Sequence, residues 1–366
     1  MTIGAALVFI GLCSIASATM HEGFSAEVAR QSVSLGVGCA VFFFFTYVDL
    51  SVFFRSANWL YLLTLLLLVS VLVMGTSVNG AQRWISLGAL GRFQPSEAAK
   101  LLLVLWLSKY LAGPNNGRYG GGIIPNFKNF CLMYAALGVP SLLIMLQPDL
   151  GTAIVFVSVG TAMLWMSGFP WQWFASLAVL GGCMLPYVLH DYQRKRLMIF
   201  MDPELDPTGA GWNIIQAKIA IGSGGLWGKG WMLGSQNRLN FVPEHHTDFI
   251  FTVVGEEMGF VGGICVIVLL ACLAFRAWQI SKNASTSYDG LLAFGLGCLF
   301  FVHTFVNIGM TSGILPVVGI PLPFVSYGGT ALIVDMAALG ILTNIYRRQT
   351  AVMSKARELK ASLFPA

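Results

Sequence analysis

Apolar stretches long enough to cross a lipid bilayer recur along the whole chain, and they constrain its fold more than any other feature. Of 366 residues, 56% are hydrophobic and 10% are charged, whereas soluble domains carry about 25% charged residues. An apolar run of about 20 residues predicts one membrane-spanning helix. The sequence therefore predicts an all-α polytopic membrane protein that forms a single domain over residues 1–366. Its ten predicted spans are residues 3–20, 31–49, 57–75, 97–112, 130–147, 150–168, 171–189, 248–276, 289–314 and 325–346.

Basic residues are distributed unequally between the two ends of the predicted helices. With ten spans, the C-terminal tail shares one side of the membrane with the loops after spans two, four and eight. These four regions hold eleven basic residues, against four in the short loops on the other side. Because cytoplasmic loops carry the excess of Lys and Arg, both termini are predicted to be cytoplasmic. The large loop between spans seven and eight, residues 190–247, then faces outward. The first apolar run has no basic region before it, so we expect a retained span and not a cleaved signal.

Cysteine and histidine spacing gives no indication of a metal site. The seven cysteines lie in or beside apolar runs, none in a CxxC pattern, and we interpret them as small hydrophobic residues. Helical zinc sites use two histidines that are four residues apart. His245 and His246 are adjacent, and neither has a His partner at that spacing. The net charge of +5 is explained by basic residues at membrane edges, so nucleic acid is not predicted as a partner.

Asp248 stands at the boundary between the large loop and the eighth predicted span, directly before a long apolar run. A carboxylate at the mouth of a membrane helix, below a large extramembrane loop, is a candidate general base. The alternative is that Asp248 caps the N-terminus of the helix, where acidic residues are favoured. The sequence alone leaves both interpretations open.

Two outward-facing segments have the pattern of a helix start. Residues 94–97 read Gln-Pro-Ser-Glu and residues 147–149 read Gln-Pro-Asp, with proline suited to the first helical position and an acid in the first turn. Glu97 and Lys100 are one turn apart and can pair. A charge pair near the membrane boundary is costly unless it is satisfied, so this pair either has a function or locks the fold.

Residues 313–324 are uncharged and contain Pro316, Pro321 and Pro323, so they cannot form a regular helix. Irregular backbone at membrane depth is tolerated only where it lies against protein or a polar cavity. We therefore predict a re-entrant loop that lines a cavity. The alternative is an ordinary connection that happens to be apolar.

The large loop carries three candidate ligand contacts. A basic run that ends at Arg196 either contacts a charged ligand or forms a solvated face. Residues 212–221 predict an interfacial amphipathic helix, which carries Lys218. Residues 222–230 are rich in glycine and include Lys229. Their backbone N–H groups could cradle a phosphate, although the pattern differs from that of nucleotide-binding loops.

These motifs together resemble the shape, elongation, division and sporulation family of bacterial membrane proteins. The resemblance covers nearly the whole chain, from residues 80–84 to residues 326–329. It is densest over residues 190–259, where the matches at residues 222–230 and 243–251 are long enough to exclude chance.

The resemblance implies a ten-span peptidoglycan glycosyltransferase of the bacterial cytoplasmic membrane. Members of the family polymerise lipid II, the undecaprenyl-pyrophosphate-linked disaccharide-pentapeptide, on the outer face of the membrane. They work with a class B penicillin-binding protein, which crosslinks the strand. The Asp-Pro pairs at residues 202–203 and 206–207 favour the branch that serves cell elongation, with the membrane proteins of the elongation complex as further partners. No fixed cofactor is implied, and a divalent cation, Mg²⁺ or Mn²⁺, at the pyrophosphate is left open.

The family's essential acid falls on Asp248, and its Gln-Pro-Ser-Glu…Lys motif falls on residues 94–100. Joining two sugars requires that the acceptor hydroxyl lose a proton as it attacks the anomeric carbon of the donor, and a positioned carboxylate can take that proton. The pyrophosphate leaves with growing negative charge, which fixed cations stabilise. A single displacement at the α-linked donor predicts inversion. We therefore predict Asp248 as the general base. The predicted substrate-binding residues are Arg83, Gln94, Ser96, Glu97, Lys100, Arg196, Lys218, Lys229, His246 and Ser326.

Two other functions are weighed against the polymerase. A lipid II flippase would use charged groups near the membrane midplane, and Glu256, Glu257 and Asp335 are acids inside predicted spans. The sequence shows no internal repeat, which many transporters have. A scaffold that only recruits the crosslinking enzyme would tolerate the change Asp248→Asn.

Overall fold

Helices occupy each of the ten predicted spans. The computed structural model describes residues 1–19, 26–78, 81–86, 88, 92–112, 123–188, 191–206, 209–239 and 241–363. Arg118 and His190, which entered the predictions of orientation and of the large loop, lie outside these residues. The helices are α1 Thr2–Ala18, α2 Ala26–Tyr47, α3 Ser51–Met74, α4 Pro95–Ala112, α5 Phe127–Leu146, α6 Leu150–Met166, α7 Trp171–Val188, α8 Asp191–Met201, α9 Ala210–Ser223, α10 Ser235–Arg238, α11 Ile250–Lys282, α12 Ser287–Thr311 and α13 Gly329–Leu363.

The surface at the periphery of the helices is apolar, as expected for a protein that lipid surrounds. Within the described residues, α2, α3, α5, α11, α12 and α13 are long and apolar enough to cross a membrane, and α1 and α6 are apolar but shorter. Phe43, Trp59, Leu66 and Val73 on α2 and α3 are each more than half exposed. Soluble monomers rarely leave such continuous apolar surface in water. The chain is a polytopic helical membrane protein, and the count of ten spans stays a prediction.

Helix α12 lies at the centre of the molecule. It packs against α4, α6 and α11, while α13 packs along α2 and α11 also contacts α1 and α9. Leu292, Leu296 and Phe300 on α12 are almost fully buried. Polar side chains on α12 therefore lie deep in the protein, where they need hydrogen-bond partners.

A small antiparallel sheet precedes α4, a feature that the sequence analysis did not predict. Its strands, in spatial order, are β1 Thr76–Val78, β2 Ala81–Ser86 and β3 Arg92–Phe93. In the register, Ser77 pairs with Gln82 and Ile85 with Phe93. The sheet carries Arg83 on its central strand and leads the chain directly into Pro95, the first residue of α4.

The glycine-rich loop, residues 222–230, pairs with a break in α11. Gly259 has φ 65° and ψ −163°, so the helix is interrupted there, and only glycine adopts such a conformation readily. Four main-chain hydrogen bonds of 2.9 to 3.1 Å join the loop to the break: Lys229 N–H to Glu256, Gly230 N–H to Glu257, Phe260 N–H to Gly225 and Val261 N–H to Leu226. The N–H groups of Lys229 and Gly230 are thus used by the protein, which argues against the predicted phosphate cradle.

Helix α9 forms where the amphipathic pattern predicted it. Ile214, Ala217 and Ala220 are buried, whereas Ile219 on the same helix is 45% exposed. The buried alanines pack with Val242 and Phe249, so α9 contacts the segment that contains Asp248. Its position at a membrane interface stays a prediction.

Candidate active site

Asp248 lies in the turn before α11 and does not cap the helix. The helix begins at Ile250, its N-cap is Phe249, and no side chain makes a capping hydrogen bond. The capping alternative is therefore wrong, and the carboxylate is left for another role. The side chain is partly exposed. The main-chain carbonyl of Asp248 accepts a 2.8 Å hydrogen bond from Asn307 on α12.

The proline-containing segment between α12 and α13 is irregular and passes the carboxylate of Asp248. Its apolar side chains Val318, Ile320 and Leu322 are at most 4% exposed, whereas Ile314 is 69% exposed, so the second half of the segment is enclosed by protein. That the segment re-enters the membrane and lines a cavity stays a prediction. Gly319 has φ +70°, and a Cβ atom built on it would lie 3.0 Å from Oδ2 of Asp248. We call residues 313–324 the re-entrant loop.

Four charged residues influence the ionisation of Asp248. Protein atoms displace water from around the carboxylate, and this desolvation is the main cause that raises the pKa of Asp248 from 3.8 to about 7. The negative charges of Glu244 and Asp149 add to the rise, and the positive charges of Arg83 and Arg196 oppose it. A carboxyl group with a pKa near neutrality is suited to general base catalysis, because it is partly ionised and still basic enough to take a proton.

Main-chain carbonyls orient the two arginines near Asp248. Arg83 donates to the carbonyls of Gln147, at 3.4 Å, and Pro148, and it lies 3.9 Å from Asp149 Oδ1. Arg196 on α8 donates to the carbonyl of Val317 in the re-entrant loop at 2.7 Å. Carbonyl groups are neutral, so these bonds orient the guanidinium groups, and the carboxylate of Asp149 also lies beside the guanidinium group of Arg83. Both are therefore placed as cations beside the candidate base.

Asp149 itself is the N-cap of α6. Its carboxylate accepts hydrogen bonds from the N–H group of Thr152 at 3.2 Å and from its hydroxyl at 2.9 Å. Pro148 lies before the helix and not at its first position, so the predicted pattern of a helix start holds for Pro95 but is shifted by two residues here. The cap explains why Asp149 stays close to Arg83.

Lys218 and Lys229 lie at different places in the structure. Lys218 is exposed on α9, and a Cβ atom on Gly313 would lie 2.7 Å from its Nζ, so its ammonium group lies at the beginning of the re-entrant loop. Lys229 donates to the buried carboxylate of Glu256 at 2.7 Å and to Ser235 Oγ at 2.8 Å. These contacts hold the glycine-rich loop on α11. A role of Lys229 in binding substrate stays a prediction.

Glu97 and Lys100 are paired inside the protein. Lys100 donates to Glu97 Oε1 at 2.7 Å and lies 2.8 Å from His303 Nε2. An ammonium group has no acceptor, so His303 Nε2 must accept, and its Nδ1–H then donates to the carbonyl of Pro321 at 3.3 Å. Asp335 accepts from the N–H group of Phe324 at 3.1 Å. These contacts tie the re-entrant loop to α4, α12 and α13, which favours the fold-locking interpretation of the pair.

Three of the four remaining predicted contacts, Gln94, His246 and Ser326, make structural hydrogen bonds. The N–H group of Gln94 donates to Thr330 Oγ1 at 3.2 Å, and Ser96 is buried, with no partner for its hydroxyl among the described residues. Ser326 Oγ accepts from the N–H group of Leu322 at 2.7 Å. The carbonyl of His246 accepts from the N–H group of Tyr327 at 2.9 Å, which joins the segment containing Asp248 to the end of the re-entrant loop.

The three acids that were weighed in favour of a flippase each have a partner within the protein. Glu256 pairs with Lys229, Glu257 accepts from Ser17, and Asp335 accepts from the re-entrant loop. These contacts give the three acids a structural role, so their presence does not require a transport function. Within the part of the chain that the structure describes, no group of three or more His, Cys, Asp or Glu side chains could hold a metal ion.

Two residues at the centre of the site were not predicted. His303 and Asn307 both lie on α12 and are buried. A signal was present in the sequence, because the two are polar residues one helical turn apart within an apolar run, and such residues in spans often have a function.

The family model of the cell cycle proteins FtsW, RodA and SpoVE matches residues 1–351. The chain belongs to this family. It is the family that the motifs resemble, so that prediction is confirmed.

Relatives and solved structures agree with this assignment. The peptidoglycan glycosyltransferase MrdB of Escherichia coli K12 is 43% identical over 87% of this chain and 85% of its own length. A probable peptidoglycan glycosyltransferase FtsW of Idiomarina loihiensis is 36% identical over 94% and 85%.

Two solved chains have the same fold. One belongs to a peptidoglycan synthase complex, studied for the coordination of polymerization and crosslinking, with a TM-score of 0.80, 32% identity and coverage of 95% of this chain and 96% of that one. The other is the rod shape determining protein RodA of Thermus thermophilus, with a TM-score of 0.71, 30% identity and coverage of 95% of each chain.

Proposed function

We propose that this chain is a peptidoglycan glycosyltransferase that polymerises lipid II on the outer face of the cytoplasmic membrane during cell elongation. The observation that carries the proposal is the state of Asp248. Its carboxylate caps no helix, lies against the re-entrant loop and has a pKa raised to about 7. The relatives named as peptidoglycan glycosyltransferases supply the class of reaction.

In the proposed reaction, Asp248 takes the proton of the acceptor 4-hydroxyl while that oxygen attacks the anomeric carbon of the donor. The bond from this carbon to the pyrophosphate oxygen breaks, and the pyrophosphate keeps the electron pair. A single displacement converts the α-linked donor into a β-linked strand. A positioned general base contributes about 10²–10⁴ in rate. The proton on Asp248 returns to water before the next addition.

Arg83, Arg196 and Lys218 are proposed to stabilise the leaving pyrophosphate. The two arginines act electrostatically on Asp248, and Lys218 lies at the beginning of the re-entrant loop. Cations held in place before the reaction stabilise developing charge without a cost of reorganisation. Mg²⁺ or Mn²⁺, if required, would bind to the pyrophosphate and enter the site with it. The described residues contain no group of three or more His, Cys, Asp or Glu side chains that could hold the ion.

The other predicted contacts are proposed to act with these residues. Gln94 and His246 would contact the sugars or the peptide of lipid II, and Ser96, which is buried, would act from within the protein. Glu97 and Lys100 would act through the re-entrant loop, because Lys100 contacts His303, which donates to the carbonyl of Pro321. Ser326 would act through the same loop, because its hydroxyl accepts from the N–H group of Leu322. Lys229 would act through the glycine-rich loop.

The proposed partners follow from the family. A class B penicillin-binding protein would crosslink the strand, in keeping with the matched chain from a complex that joins polymerization to crosslinking. Membrane proteins of the elongation complex would be further partners. The excess of basic residues on one side supports termini in the cytoplasm, and Asp248 would then lie on the outer side.

The test is lipid II polymerisation by the purified chain with its class B partner, whose crosslinking activity is blocked. We expect glycan strands with β-linkages, measured by gel electrophoresis and by nuclear magnetic resonance of the anomeric protons. A parallel assay follows fluorescent lipid II across liposomes that contain the chain alone. Transport without glycan would reject the proposed function and favour a flippase.

A further inference from the structure

Asn307 is a fully buried amide near the C-terminal end of α12. Its Nδ2 group donates two hydrogen bonds, one of 2.8 Å to the main-chain carbonyl of Asp248 and one of 2.7 Å to that of Ile320. A single NH2 group therefore connects the turn that carries the candidate base to the loop that passes it.

The chemistry of the two acceptors fixes the orientation of this amide. Both are carbonyl oxygens, so only the NH2 end of Asn307 can face them. The Oδ1 atom is buried and has no hydrogen-bond partner among the described residues. A buried acceptor without a partner costs stability, and leucine would fill a similar volume without that cost. The amide at this position is therefore explained by its two bonds and not by packing.

The two bonds act on the part of the loop that contacts the carboxylate. Ile320 follows Gly319, whose Cβ would lie 3.0 Å from Asp248 Oδ2. Val317 lies three residues before Ile320, and its carbonyl accepts a hydrogen bond from Arg196. Residues 317–320 are thus held at both ends, and the carboxylate of Asp248 lies against the stretch between them.

We propose that Asn307 is a positioning residue for Asp248, and this inference rests on the proposed function. Its amide fixes Asp248 relative to the re-entrant loop and so determines where the carboxylate meets the acceptor hydroxyl. A misplacement of about 1 Å from a mutation away from the reacting atoms can cost about a hundredfold in rate. The amide is suited to this role because it gives two donors and adds no charge beside the base.

The ionisation of Asp248 gives a readout that packing alone would not change. The charged groups that act on it are Glu244 in its own turn, Asp149 at the start of α6, Arg83 on β2 and Arg196 on α8. Asn307→Asp keeps the shape of the side chain, removes both donors and adds another acid to this set. A like charge nearby raises the pKa of a carboxyl group.

The experiment compares Asn307→Ala and Asn307→Asp with the control Thr304→Val in the lipid II assay, each purified with the class B partner. Thr304 lies on the same helix, and its hydroxyl bonds only the carbonyl of Phe300 in the described structure, at 2.8 Å. We expect Asn307→Ala to lower kcat about a hundredfold with little change in KM. Asn307→Asp should move the acid limb of the pH profile upward by about one unit. Thr304→Val should keep the wild-type kcat and pH profile.

Two results would overturn the inference alone. One is a kcat for Asn307→Ala that equals that of Thr304→Val. The other is an unshifted acid limb in Asn307→Asp, which can be measured on residual activity even if Asn307→Ala does not fold. If neither variant folds, Asn307 is structural and the inference is wrong. A wild-type chain that makes no glycan would instead reject the proposed function, and this inference with it.

Discussion

Gly319 lies directly against the carboxylate of Asp248, so closely that a Cβ atom on Gly319 would be 3.0 Å from Oδ2. The candidate base and the re-entrant loop therefore form one unit, although they are far apart in the sequence. Asn307, Arg196 and the carbonyl of His246 all make hydrogen bonds that hold this unit together.

The rate of polymerisation should depend on the ionisation of Asp248. A base with a pKa of about 7 must be deprotonated to act, so activity should fall about tenfold for each pH unit below that value. The measurement is the pH dependence of kcat at saturating lipid II. An activity that stays constant well below neutral pH would contradict a basic role for this carboxyl group.

The stability of the fold should decrease as the pH rises, whereas the activity should increase. The pKa of Asp248 is raised in the fold, from 3.8 to about 7, so the ionised form is disfavoured there relative to the unfolded chain. The contribution of this group to stability is therefore greatest below pH 3.8 and is lost as the pH rises to about 7.

Asp248→Asn should remove the loss of stability that ionisation of Asp248 causes. At neutral pH the variant should therefore melt at a higher temperature than the wild type in the same detergent. Glu204→Gln, a change of an exposed acid, is the control and should not alter the melting temperature. Equal melting temperatures for Asp248→Asn and the wild type at neutral pH would show that the carboxylate is not desolvated.

Arg196 should contribute more to turnover than its neighbour in the sequence. Arg196→Gln removes a cation that is held beside Asp248, and we expect kcat/KM to fall about 10- to 100-fold. Lys195→Gln removes the same charge from a side chain that is 66% exposed and should have a small effect. Similar losses in both variants would mean that only the net charge of the large loop matters.

How far the sequence predicts the site depends on the distance along the chain between interacting residues. The helices follow from the length of the apolar runs, and Asp248 stands out by its place before one of them. Asn307 is 59 residues from Asp248, and nothing local indicates that the two meet. Even so, an Asn one turn after His303 in an apolar run could have been noticed.

The glycine-rich loop illustrates the same limit. Its composition suggested a phosphate site, because glycines expose backbone N–H groups. Its actual acceptors are carbonyls at a helix break about 30 residues away, and a break at Gly259 cannot be deduced from one glycine among several in α11. The strands around Arg83 were missed because they are only two to six residues long.

Gly259→Ala should destabilise the protein. At φ 65° and ψ −163° a residue with a side chain is strained by about 1–3 kcal/mol, and the added Cβ would also collide with the backbone of Gly228. The measurement is the melting temperature in detergent. Gly138→Ala on α5 is the control, because a Cβ atom there meets open space. If both variants melt at the same temperature, α11 is not broken at Gly259.

The central claim is that Asp248 is the general base for lipid II polymerisation, and Asp248→Asn tests it most directly. Wild type and variant are purified with the class B partner, matched for folded fraction, partner binding and lipid II binding, and assayed for glycan strands. The account predicts that the variant binds lipid II and loses at least about a hundredfold in turnover. Equal glycan synthesis by the two proteins would contradict it.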